Sequence, residues 1–128
     1  MGTLILDASV LIGLLDAADA HHPIAVDQVA AADEARTELL TAASAYSEAL
    51  VSFARVRRVA DARAAIAAMG IAISPLTTAV AEHAAELRAS HDGLRLPDAM
   101  VLATARQLGA DLLTYDAGLA RIAAASSN

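Results

Sequence analysis

Short apolar runs alternate along the chain with longer stretches in which apolar residues recur every three or four positions. Thr3 to Leu6 is a β-type run ending in an acid, and Ser9 to Leu15 then reads as helix with Ser9 as its cap. His21-His22-Pro23 opens a second helical pattern through Ala35, and Glu38 to Ala42 supplies a second short strand. Ser44 is placed to cap a helix from Ala45 to about Arg58, where Leu50, Val51, Phe53 and Val56 recur at near-helical spacing. Ala60 to Met69 predicts another helix, ended by Gly70. Ile71 to Ser74 predicts a third strand, stopped by Pro75, and Thr77 or Thr78 caps a helix reaching Ala89. Pro97 stands where proline suits a helix start, and that helix runs to Leu108 before Gly109 closes it. Asp111 to Thr114 is the fourth strand, Asp116-Ala117-Gly118 leads into a last short helical segment, and Ala123 to Asn128 reads as a loose tail.

Short strands alternating with helices predict an α/β fold whose mostly parallel sheet is covered on both faces. With 128 residues, 57% of them hydrophobic, the chain can bury one core but not two, so residues 1–128 are expected to form a single domain. One Phe, two Tyr and no Trp make that core aliphatic. Without cysteine there is neither a disulfide framework nor a thiolate metal site. The first apolar runs are broken by Asp7 and Asp16, short of the roughly 20 residues of a membrane span, and no basic leader precedes them. A cytoplasmic protein with no membrane partner is the expectation.

The net charge of −6 disfavours tight, sequence-independent binding to a phosphate backbone. All nine basic residues are arginines, however, and Arg55, Arg57 and Arg58 crowd one helix end. Phosphate contact by Arg55 and Arg58 is one reading of that group, and a charged helix end favourable to the dipole is the other.

In open parallel sheets, ligands sit beyond the carboxyl ends of the strands. Asp7 follows Leu4-Ile5-Leu6 and Asp116 follows Leu112-Leu113-Thr114-Tyr115, so both acids fall there, although Asp before Ala-Gly is also an ordinary turn residue. Asp98 lies in a first helical turn, where the dipole favours negative charge. It also shares a stripe with Leu102 and Ala105, which turns it inward and calls for a partner such as a cation. Glu48 shares its row with Ser44, Val51 and Arg55, a mixture that a solvated face would also show. Acids converging on one pocket repel unless a divalent cation neutralises them, and oxygen-only ligation suits Mg²⁺ or Mn²⁺. Such a site hydrolyses phosphodiesters through a metal-activated water. His21 and His22, paired before a proline, read as a surface helix start and stay outside the site.

Leu4-Ile5-Leu6-Asp7-Ala8-Ser9-Val10-Leu11-Ile12, Ser44-Ala45-Tyr46-Ser47-Glu48, Leu96-Pro97-Asp98-Ala99 and Leu113-Thr114-Tyr115-Asp116 together resemble, in that order, the PIN-domain family and in particular VapC-type toxins. The resemblance spans almost the whole chain. It implies a three-layer α/β/α fold with a sheet of four or five strands, the fifth being the edge strand that many relatives form after the Asp116 region, where this chain has Ala123-Ala124-Ala125-Ser126-Ser127-Asn128. It also implies that Asp7, Glu48, Asp98 and Asp116 form a catalytic and metal-binding site for Mg²⁺ or Mn²⁺, supported by the hydroxyls of Ser9 and Thr114. The implied activity is endoribonuclease cleavage by the toxin of a toxin–antitoxin pair. The implied partners are RNA, a second copy in a homodimer, and an antitoxin that places a basic side chain among the acids. A PIN fold that docks RNA or protein with negligible turnover is the alternative. A dehalogenase-like phosphatase is disfavoured because position 9 is Ser rather than an acid, and a phosphoacceptor receiver because the chain has no Lys.

Overall fold

The computed structural model describes residues 2–125. Within them, four strands and seven helices follow the alternation of the sequence: β1 (Thr3–Leu6), α1 (Ala8–Leu15), α2 (His22–Glu34), β2 (Glu38–Ala42), α3 (Ala43–Arg55), α4 (Val59–Ala68), β3 (Ile71–Ser74), α5 (Thr78–Ser90), α6 (Leu96–Gln107), β4 (Asp111–Leu113) and α7 (Ala117–Ala125). All strand pairs are parallel and the order is β3-β2-β1-β4. No fifth strand occurs among the described residues.

Period-2 alternation builds the layers. Leu6, Leu39 and Leu113 face one way and pack with Val10, Leu11 and Leu14 of α1 and Ala25 and Ala32 of α2. Ile5 and Leu40 face the other way, against Ala45 of α3 and Val101 and Ala105 of α6. The central strand is therefore buried on both faces, which is why it is an unbroken apolar run. Beside it, α5 and α6 pack through Val80, Ala84, Leu87, Ala99, Leu102 and Ala103, joined by Leu119 of α7. The many alanines let these helices approach closely, and the result is a three-layer α/β/α sandwich. Thr41, buried at the end of β2, donates its hydroxyl to the carbonyl oxygen of Leu6 at 2.7 Å and satisfies the last acceptor of β1.

Several helix ends differ from the sequence reading. Asp7, not Ser9, caps α1: its backbone is extended and its carboxylate accepts from the N–H of Val10, so the helix begins at Ala8. Asp and Ser are equally good caps, and the strand delivers Asp7 first. Ser44 is not a cap either, because β2 runs directly into α3 and Ala42 takes the cap position without a side-chain bond. Instead Ser44 sits inside the first turn, its hydroxyl 3.5 Å from the carbonyl oxygen of Pro97. Thr77 caps α5 as one of the two expected threonines. Helix α7 continues through Ala123, Ala124 and Ala125, where a loose tail was expected. The rest of that tail, residues 126–128, lies outside the described residues.

Candidate active site

Parallel strands aim their carboxyl ends at one edge of the sheet, and α3 and α6 start from that same edge. Asp7 follows β1 directly and is 4% exposed. Its Oδ1 accepts from Ser9 Oγ at 2.6 Å and from the N–H of Val10 at 3.2 Å, while its Oδ2 accepts from the Thr114 hydroxyl. A carboxylate offers about four lone-pair directions, so these three donors leave about one for a further ligand. Ser9 Oγ also accepts from the N–H of Tyr115 at 3.1 Å, and Thr114 Oγ1 from the N–H of Asp116 at 3.0 Å. Two hydroxyls thus tie the end of β1 to the turn after β4, which is possible only because β4 lies beside β1.

Asp116 is exposed and caps α7, its Oδ1 accepting from the N–H of Leu119 at 3.1 Å. The turn reading of this residue is thus met by its cap bond. Asp98 occupies the first turn of α6 and its side chain is 18% exposed, as its inward stripe predicted. Its cationic partner is a side chain of the chain itself. Arg95 donates from Nε to Asp98 Oδ2 at 3.2 Å and from Nη2 to Glu48 Oε2 at 3.2 Å, with a longer contact of 3.5 Å to Asp98 Oδ1. Glu48, in the second turn of α3, therefore faces the site and not only solvent. The hydrogen bonds to Asp98 first, then to Glu48, raise the Arg95 pKa above its ordinary value.

Thr114 thus links the Asp7 carboxylate to the backbone N–H of Asp116, and Arg95 links the carboxylates of Glu48 and Asp98. Asp98 and Asp116 also line one cleft. The donor chemistry, carboxylate oxygen only, fits a hard divalent cation. The spacing is not that of a ready cage: among the described residues no three acidic or histidine side chains are gathered to hold a metal ion. The Arg95 guanidinium lies between Glu48 and Asp98 and bonds both.

Sequence reasoning missed Arg95. The available clue was its place at the start of α6, where a positive charge opposes the helix dipole and brings the helix no stability. Arg55 closes α3, about 10 Å along its axis from Glu48 at 1.5 Å per residue, and Arg58 is the residue that precedes α4. Arg58 pairs with Asp61 at 2.8 Å. His21 stacks on Tyr115 with ring centroids 4.5 Å apart, and His22 Nδ1 lies 2.7 Å from the carbonyl oxygen of Gly13. Both histidines are thus engaged in holding the α1–α2 connection and the Tyr115 ring. Burial, then the nearby charges of Asp7 and Asp19, raise the Tyr115 pKa above that of a free phenol.

Fold and site together define a class: a three-layer α/β/α protein with an acidic cleft at the carboxyl edge of a parallel sheet. Residues 4–125 match the PIN domain family, and the chain belongs to it. No curated protein matches the chain. Among solved structures, VapC20 of Mycobacterium tuberculosis, described as a Sarcin-Ricin loop cleaving toxin, is 21% identical with a TM-score of 0.73, over 92% of this chain and 93% of that one. A toxin–antitoxin complex from Klebsiella pneumoniae is 23% identical with a TM-score of 0.68, over 88% and 86%. VapBC2 from Rickettsia felis, bound to a DNA fragment from its promoter, is 10% identical with a TM-score of 0.74, over 94% and 92%. At these identities the likeness is one of fold. Among the described residues no helix is long and apolar enough to cross a membrane.

Proposed function

We propose that this chain is a single-domain, Mg²⁺- or Mn²⁺-dependent endoribonuclease of the VapC type, the toxin of a toxin–antitoxin pair acting in the cytoplasm. The observation that carries the reading is the Asp7 carboxylate, buried at the end of the central strand and fixed by Ser9, Val10 and Thr114, with Glu48, Asp98 and Asp116 on adjoining helix starts. Beyond its cap bond and the two hydroxyl bonds that tie β1 to the turn after β4, the Asp7 carboxylate keeps about one lone-pair direction for a ligand. Family membership and the fold shared with toxins and toxin–antitoxin complexes support the same reading.

Asp7 would hold the cation in one orientation, because three hydrogen bonds leave its carboxylate no rotational freedom. Glu48 and Asp98 would turn their oxygens to the cation once Arg95 yields, and Asp116 would use the oxygen that its cap bond leaves free. A divalent cation bound there would supply Lewis-acid polarisation of the phosphodiester and an activated water. Ser9 and Thr114 keep the charge of Asp7 aimed without competing as ligands. The homodimer and the antitoxin belong to the same proposal. An inhibitory basic side chain entering the acids would take the kind of seat that Arg95 now holds.

Cleavage of a mixed RNA pool by purified, antitoxin-free protein tests the reading, with Mg²⁺, Mn²⁺ or EDTA and with Asp7→Asn alongside. Cleavage only with metal, reduced at least about 100-fold in the variant, is expected for the loss of a charged group at the reacting centre. Cleavage that persists in EDTA or in the variant refutes the mechanism. Intact RNA under every metal would leave a docking module as the function.

A further inference from the structure

Arg55 and Arg58, which the sequence offers for phosphate binding, follow the end of α3 away from Glu48, and the acidic cleft has positive charge of its own. Between the α5–α6 connection and α7 is a cleft of about 270 Å³ lined by Gly93, Arg95, Asp98, Asp116, Gly118 and Arg121, with Leu94, Leu119 and Ile122 as its apolar floor. Arg121 stands on the second turn of α7, exposed, and its side chain makes no hydrogen bond or ion pair among the described residues, although two carboxylates line the same cleft.

We infer that this cleft is a phosphate subsite for the RNA backbone, with Arg121 as its principal anchor and Arg95 as a second donor once it leaves Glu48 and Asp98. The inference rests on the nuclease reading above and adds where the strand runs. Guanidinium groups match phosphate oxygens in geometry and stay charged at every accessible pH. Gly93 and Gly118 carry no side chain to bar a backbone from the cleft walls. Among the described residues no aromatic ring lines the cleft, so they offer no platform on which a base could stack, and its recognition is of sugar and phosphate.

The charges also set a condition. Two arginines and two aspartates in the cleft sum to zero, so a phosphate gains little there by itself. A divalent cation held by the acids adds two positive charges beside the cleft, so phosphate and cation bind with positive coupling. The phosphate next to the scissile one would bridge from the cation side to Arg121.

The test is fluorescence anisotropy of a labelled 12-nucleotide single-stranded RNA with Ca²⁺ or EDTA, over a series of NaCl concentrations. Wild type is compared with Arg121→Gln, Arg121→Lys and, as a control at the far end of α3, Arg55→Gln, with thermal melts confirming folding. Arg121→Gln should weaken binding about tenfold in Ca²⁺ and lower the salt slope by about 0.7, the value for one phosphate on a single strand. Arg121→Lys should recover the slope, Arg55→Gln should match wild type, and EDTA should shrink the difference. Equal affinity and slope in Arg121→Gln, or no RNA binding by wild type, overturns the subsite. If wild type cleaves with Mg²⁺ while Arg121→Gln binds normally, the subsite falls and the nuclease stands. If wild type never cleaves but loses RNA affinity in Arg121→Gln, the nuclease falls and the subsite stands.

Discussion

Arg95→Gln should move two properties of this protein in opposite directions. In the metal-free protein the guanidinium bridges Glu48 and Asp98, each at 3.2 Å, with side chains 34% and 18% exposed and its own at 64%. Pairs this open to solvent contribute roughly 0.2–1 kcal/mol each, so the two together are worth about 0.4–2 kcal/mol. Part of this offsets the cost of about 0.3–1 kcal/mol for a cation at the α6 N-terminus. The variant should therefore lose at most about 2 kcal/mol, a fall of a few degrees in melting temperature for a chain of this size. A cation seeking Glu48 and Asp98 must first displace that guanidinium. Removing it strips 0.4–2 kcal/mol from the competition, and Mn²⁺ affinity should rise about 2- to 30-fold at 1.36 kcal/mol per decade. Calorimetric titration with Mn²⁺, beside melts in EDTA, reads both quantities without any substrate. Unchanged or weaker Mn²⁺ binding in a folded Arg95→Gln would refute the view that arginine and metal share a seat.

Thr114→Val should destabilise the protein by about 1–3 kcal/mol in a thermal melt, since it strands both an acceptor on Asp7 and the N–H of Asp116. The same variant should weaken Mn²⁺ binding, and a melt like wild type would show those bonds to be dispensable. Arg57→Gly should stabilise by about 1 kcal/mol in denaturant unfolding, because Arg57 has a φ of 58° where it closes α3 and an L side chain is strained there. Its RNA affinity should stay near wild type. Stability should decline above about pH 10, the ordinary tyrosine value. The raised pKa of Tyr115 contributes stability that is whole below that pH and is lost as pH climbs through the higher folded value, because the unfolded phenol gives up its proton first. Tyr115→Phe should flatten that limb of the melting-temperature profile, and an equal decline in the variant would assign it to other groups.

Much was legible in the chain itself, because it is written in local pattern. Apolar run lengths located all four strands, helical spacing located the helices, and acids placed just after strands marked the sheet's carboxyl edge. Cap identity was less legible, since Asp7 and Ser9, two residues apart, have the same preference and only the exact end of β1 chooses between them. The reach of the last helix beyond Ala123 depended on Leu119 and Ile122 finding the α5–α6 layer.

What the tertiary structure alone decided is which side chains meet. Arg95 reaches Glu48 across 47 positions and Thr114 reaches Asp7 across 107, and neither partnership leaves a trace in spacing. The order β3-β2-β1-β4 creates the second by laying β4 beside β1. The packing of α6 on α3 creates the first. The same geometry separates Arg55 and Arg58 from the acids and brings Arg121 to them. Residue type and period report on a single element at a time, whereas a site is formed where several elements end together. The sequence by itself could therefore name the acids, and only the fold could say which cations face them.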